Sequence, residues 1–177
     1  MSTFRRARTI WKGPYQGGSA TVSLTSSGLG PFAEAPATAE IAPSGQTSPM
    51  ELLAAAEASC VCGTIAYLLE KAGHAPEQLD GTADVELDGA TVRSVRVHIV
   101  GAVPGLTSEQ FAAVAERAKA NCPVSKALSG TAISIAAELV PGASRTLPRQ
   151  SAEISALGHG GSSRSPGLGT APPAAGD

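Results

Sequence analysis

Aromatic side chains are scarce in this chain: three Phe, two Tyr and one Trp make up 3% of 177 residues. Ala, Val, Leu and Ile must therefore fill any core, within a hydrophobic share of 42%. An excess of either charge is lacking too. Thirteen Lys and Arg against fifteen Asp and Glu leave a net charge of −2, without the basic surplus of a nucleic-acid binder. Three cysteines are too few, and odd in number, for a disulfide scaffold. No apolar run of signal-peptide length follows the basic start at Arg5, Arg6 and Arg8. The charge-free run from Ala58 to Leu69 reaches only about 18 Å as a helix, short of a bilayer. These absences predict a soluble, cytoplasmic protein that engages neither nucleic acid nor membrane. No G-x-S-x-G, G-x-G-x-x-G or P-loop occurs, which counts against serine-hydrolase and nucleotide-binding readings.

What remains is enough for one domain. About 140 folded residues bury roughly two-thirds of their unfolded surface, so neither a metal nor a disulfide is needed for stability. The expected boundaries are a folded domain over 1–140 and a tail over 141–177. The tail is Gly, Ser, Pro and Ala with a few charges, including Gly-His-Gly-Gly at 158–161. Such a composition buries too little apolar surface to offset its ordering entropy, so disorder is expected.

Strands are expected at Arg8–Lys12 and Ala20–Thr25, the second ended by Gly28 and Gly30. Residues 31–47 are ambiguous, with room for one irregular strand. From Ser48 to Gly73 the pattern is helical. Ser48 can cap, Pro49 suits the first helical position, and Glu51 completes a capping box. The middle of this helix is apolar on almost every face, which predicts burial on most of them, in a core or against a partner subunit. Alternation at Ala83, Val85 and Leu87, and at Val95, Val97 and Ile99, predicts two strands around Gly89. Thr107 and Gln110 form a second capping box, opening a helix that carries Phe111, Val114, Ala115 and Ala118. Asn121-Cys122-Pro123 should end it and start a short helix over Val124–Leu128. A last strand is expected over Thr131–Val140. The order is α+β rather than a βαβ alternation.

The chemistry rests on the cysteines. Cys60 lies mid-helix, where a small buried thiol is ordinary packing. Cys62 is about 200° further round, pointing away from Cys60, so it reads as packing as well. Cys122 precedes Pro123 at a helix start, where free N–H groups, the helix dipole and Lys126 favour a thiolate. Without further knowledge Cys122 is the more activated thiol and Cys60 its partner. Zinc is the rival use, since His74 and His98 could join the three cysteines. The spacing matches no zinc pattern, so no metal and no cofactor are expected.

Ser48-Pro-Met-Glu-Leu-Leu-Ala-Ala-Ala-Glu-Ala-Ser-Cys60, followed by Ala120-Asn-Cys-Pro-Val-Ser-Lys-Ala-Leu128, resembles the OsmC/Ohr family, and more closely its osmotically inducible branch. Trp11-Lys-Gly, Ala20-Thr-Val-Ser, Thr82–Asp88 and Val103-Pro-Gly fit as well, so the likeness spans about residues 8–140. It implies an α+β fold, with antiparallel sheets packed on a long central helix, in an intertwined homodimer. It also implies thiol peroxidase activity on organic hydroperoxides. By that likeness Cys60 is the peroxidatic cysteine and Cys122 the resolving one, which reverses their ranking above. The cycle would run through a Cys60 sulfenic acid and a Cys60–Cys122 disulfide, reduced by a dithiol that in the family is often a lipoyl group on a carrier protein. The family activates its thiol with an arginine held by a glutamate. Met50 occupies the glutamate position, with Glu51 next to it as the candidate catalytic carboxylate. Neither the turn at 16–19 nor Glu40 offers the arginine; Arg5, Arg6, Arg8, Arg93 and Arg96 are the remaining cations. Glu57, one turn before Cys60, is expected to raise the Cys60 pKa. Two other readings fit the same fold: cysteine chemistry on a non-peroxide electrophile, and a non-catalytic dimeric binding protein.

Overall fold

Ser48 and Pro49 start the long helix where the sequence puts its start. Helix α1 runs Pro49–Lys71, with Ser48 as N-cap and its side chain accepting the Glu51 N–H at 3.2 Å. Only half of the expected capping box forms. The Glu51 carboxylate accepts from the Thr47 hydroxyl at 3.0 Å instead, which ties the helix to the residue before its cap. At the far end Gly73 takes a φ of +82°. Its N–H donates to the Glu70 carbonyl at 3.0 Å and that of His74 to the Leu69 carbonyl at 2.9 Å, a Schellman closure that favours glycine at this position.

The computed structural model describes residues 2–15, 17–35 and 45–141, all within the unit Met1–Ser144. The expected tail, apart from Pro141, lies outside the described residues, as do Gln16 and Glu40. Two sheets are present. The first contains β1 (Arg8–Lys12), β2 (Ser19–Leu24), β3 (Leu29–Glu34) and β4 (Gln46–Thr47), in that order. The second contains β5 (Gln78–Asp88), β6 (Thr91–Ala102) and β7 (Ala132–Val140). Between β6 and β7 lie α2 (Ser108–Asn121) and α3 (Pro123–Ala127).

Three details differ from the sequence reading. Gly30 does not end a strand but lies inside β3 at φ +94°. Its lack of a side chain lets the strand approach the Val22 carbonyl, which a Cβ would meet at 2.9 Å. Neither sheet is wholly antiparallel: β3 pairs with β4, and β6 with β7, in parallel. For β6 and β7 the cause is the helical connection, which returns the chain to the same end of the sheet, as a parallel crossover requires. One β-α-β unit is therefore embedded in the α+β order.

The core lies between the second sheet and the helices. Alternate residues of the central strand β6, Val95, Val97 and Ile99, are buried beneath Ile65 and Leu69 of α1 and Phe111, Ala115 and Ala118 of α2. Each large side chain contributes about 1.5–3 kcal/mol by burial. Gly101 continues the buried face of β6 because the Phe111 ring occupies the space where its Cβ would stand.

One chain covers helix α1 only in part. Within the chain it buries only the stripe Glu57, Ala58, Val61, Ile65 and Leu69, spaced by about one turn. The remaining apolar faces are half-buried or exposed, and Tyr67 is 58% exposed. By length and composition α1 would also suffice to cross a bilayer, contrary to the inference from its shorter charge-free run; its stripe on β5 and α2 is that of a core helix. The first sheet is covered only in part, with Ala20 and Val22 of β2 buried. Among the described residues its substantial packing is between its own strands, all of β1 is exposed, and Ile10, Trp11, Leu29 and Phe32 stand in solvent.

The fit of Gly101 against Phe111 gives a direct test. Gly101→Ala forces a Cβ into a ring that has no free space, so a destabilisation of about 1–3 kcal/mol is expected. Thermal unfolding followed by circular dichroism measures it, and an unchanged melting temperature would contradict the packing described.

Candidate functional site

Pro123 builds the site. It stands at the first position of α3, and the residue before a proline is pushed out of helical conformation. Cys122 accordingly has φ −62° and ψ 125°, closing α2 and opening α3 at one residue. Its N–H still donates to the Ala118 carbonyl at 2.8 Å, so the joint is fixed to α2. The α3 helix packs on α1. As a result two cysteines 62 positions apart in sequence become neighbours, and the Cys122 side chain is among the groups that act on Cys60.

The two thiols differ in setting. Cys122 is fully buried, while Cys60 is half-buried. Burial pushes the Cys60 pKa up, and the adjoining Cys122 side chain and the Glu57 carboxylate add to that. One group acts the other way: the Val124 backbone N–H, aimed at the Cys60 sulfur, favours its thiolate. The free N–H at the start of α3 thus serves Cys60, not the Cys122 thiol to which the sequence assigned it. Lys126 is exposed.

Glu57 acts on Cys60 as the sequence predicts, but its partner was not foreseen. The Glu57 side chain is wholly buried. Its Oε1 accepts a short hydrogen bond from the Ser125 hydroxyl, and its Oε2 is buried without a partner. Leaving a buried polar atom unpaired costs about 1–3 kcal/mol. A charged residue inside the apolar stripe of α1 was the signal in the sequence. That Ser125 answers it depends on how α3 docks, which no local pattern specifies.

The other candidates stand elsewhere. Cys62 faces β5, where its sulfur fills the space above Gly81; burial and the Asp80 charge raise its pKa. It is a packing residue, as expected from its angle to Cys60. Glu51 is exposed and held by Thr47 and Ser48. Nine residues of helix carry it about 13 Å from Cys60 and onto the opposite face, so within the chain the two are not brought together. Arg93 pairs with Asp88 at 2.8 Å and Arg96 lies 4.0 Å from Asp84, all exposed. Arg5 and Arg6 line an open cleft with Phe4, Thr25 and Ser26, and Arg8 is on β1. None of these arginines is among the groups acting on Cys60. His74 follows α1, near Gly105, and His98 is on the exposed face of β6. Among the described residues no three His, Cys, Asp or Glu side chains gather as a metal site.

Comparison with known proteins places this pair of thiols in context. The OsmC-like protein family matches residues 42–138, a span that includes both cysteines. The chain is 33% identical over 134 residues to peroxiredoxin OsmC of Escherichia coli K12, covering 72% of this chain and 92% of that protein. Its fold is similar to that of an OsmC-like protein from Mycoplasma pneumoniae, with TM-score 0.63, 14% identity, and coverage of 79% and 99% of the two chains. It is also similar to an organic hydroperoxide resistance protein from Elizabethkingia anophelis, with TM-score 0.58, 20% identity, and coverage of 79% and 100%.

The raised Cys60 pKa predicts its labelling behaviour. The rate of alkylation by iodoacetamide follows the thiolate fraction. Peptide-resolved labelling of the reduced protein should therefore give Cys60 a midpoint above that of free cysteine, at about pH 8.5. A midpoint below the free-cysteine value would contradict the burial argument.

Proposed function

The chain belongs to the OsmC-like family, and we propose that it is a thiol peroxidase reducing organic hydroperoxides through Cys60 and Cys122. The observation that carries this reading is that α3 packs on α1 and sets the fully buried Cys122 beside the half-buried Cys60, on which it acts. The accessible thiol suits attack on substrate, and the buried one suits resolution. The Cys60 sulfur attacks the distal peroxide oxygen, the O–O bond breaks, and an alcohol leaves with Cys60 as sulfenic acid. The Cys122 sulfur then displaces water from that sulfenic acid, forming the disulfide. An external dithiol, such as a lipoyl group on a carrier protein, restores both thiols by exchange. The likeness to peroxiredoxin OsmC over both cysteine motifs supports the assignment. A cytoplasmic setting suits the cycle, because thiols are kept reduced there.

The reading includes a homodimer. A first sheet with Ile10, Trp11, Leu29 and Phe32 exposed, and a central helix apolar on faces the chain does not cover, both call for a second copy. The site then lies near an interface, where the partner copy can shield the open side of Cys60.

Two measurements test these statements. Stopped-flow mixing of the reduced protein with cumene hydroperoxide should show consumption that Cys60→Ser abolishes. Cys122→Ser should leave a sulfenic acid that dimedone traps at Cys60, whereas Cys62→Ser should change the rate less than about twofold, since Cys62 is turned to β5. A wild-type protein inert to hydroperoxide but modified at Cys60 by another electrophile would replace the peroxidase reading. Static light scattering at micromolar concentration should give twice the 17.6 kDa chain mass; a monomer would contradict the dimer.

A further inference from the structure

The peroxidase reading leaves one group unused: the buried carboxyl of Glu57. It lies three residues before Cys60 on α1, a spacing that places two side chains side by side on a helix surface. It is wholly shielded from solvent. Ser125 occupies its Oε1, and Oε2 has no partner. Buried acceptors are nearly always satisfied, so an orphan beside a reactive group calls for an explanation.

Attack by Cys60 poses a proton problem that this atom can solve. A thiol that attacks a peroxide must give up its proton as the S–O bond forms. The leaving alkoxide must then gain one. Among the described residues no arginine or histidine acts on Cys60, whereas Glu57 does. The Ser125 hydroxyl fixes the carboxyl from α3, the helix that Cys122 caps. Its orientation is thereby set by the element that carries the second thiol.

We propose that Glu57 is the proton-transfer residue of the Cys60 step, which rests on the peroxidase reading above. Its Oε2 takes the thiol proton as the sulfur attacks the distal oxygen. The S–O bond forms, the O–O bond breaks, and sulfur loses two electrons to the peroxide. The distal oxygen keeps its hydrogen and becomes the sulfenic acid. Glu57 returns the borrowed proton to the alkoxide, which departs as alcohol, and the carboxylate is regenerated. A carboxyl that can reach the attacking sulfur and the leaving oxygen can serve as base and then acid in this way.

Glu57→Gln separates this role from two plainer ones. The amide oxygen still accepts from Ser125, but the side chain carries neither a charge nor a movable proton. Two rates are compared in the reduced full-length protein: Cys60 alkylation by iodoacetamide, which needs only the thiolate, and Cys60 oxidation by cumene hydroperoxide. The expected result is a split, with alkylation at least twofold faster because the repelling charge is gone, and oxidation at least tenfold slower. Both rates rising would make Glu57 a charge only. Both falling would make it a structural clamp only. No change would leave it without a role at Cys60. Each of those three results overturns the proposal while the peroxidase reading stands. A wild-type Cys60 that hydroperoxide does not oxidise overturns both. Should the Gln variant fail to fold, by circular dichroism, Glu57→Asp carries the test. It keeps a carboxyl but shortens the reach to Ser125, so a clamp predicts a tenfold loss of oxidation and proton transfer predicts a rate within about fivefold of wild type.

Discussion

Pro123 cannot continue α2 and holds the residue before it in extended backbone, and the thiol site depends on that interruption. Because the break falls at Cys122, the thiol sits at a joint between two helices instead of on the side of one. The short α3 that follows lies against α1, and with its cap it presents three things within four residues: the Cys122 thiol, the Val124 N–H and the Ser125 hydroxyl. The first two meet Cys60 and the third meets Glu57. A continuous helix through 122 would bond the Val124 N–H to the carbonyl four residues earlier and leave no free N–H for Cys60.

The opposing surface on α1 is equally economical. Glu57 and Cys60 are one turn apart beside the stripe of Ala58, Val61, Ile65 and Leu69 that anchors the helix in the core. The helix is therefore held rigidly where the chemistry occurs and left uncovered on the faces beyond it. Such an arrangement suits an element shared by two copies of the chain. It also explains the balance at Cys60, where burial and nearby negative charge oppose the thiolate and one backbone N–H favours it.

Much of this was legible in the sequence because it is local. The Ser48-Pro49 start, the Gly73 stop, the Thr107–Gln110 box and the alternation of β6 depend on neighbours within a few residues, and each was found where expected. The parallel pairing of β6 with β7 was not, since it depends on where a connection returns the chain. The inclusion of Gly30 in β3 was missed because glycine usually marks a strand end, and here it permits a close approach to Val22. At the site, residue chemistry alone pairs Cys122, as the activated thiol, with Cys60, and the resemblance reverses the two roles. The preference for Cys122 followed the correct helix terminus but assigned its N–H to the wrong sulfur. Ser125 lacked any local signal, because its partner is 68 residues away. Glu51 shows the converse case: a sequence position beside a motif glutamate, placed by helix geometry on the far face from Cys60.

The central claim is that Cys60 and Cys122 work as one redox pair. Peptide mapping of the reduced protein after one equivalent of cumene hydroperoxide tests it most directly. The account predicts a Cys60–Cys122 disulfide within one chain, reversible by a dithiol, with Cys62 still free. A free Cys60 after exposure, or a bridge that engages Cys62, would contradict it.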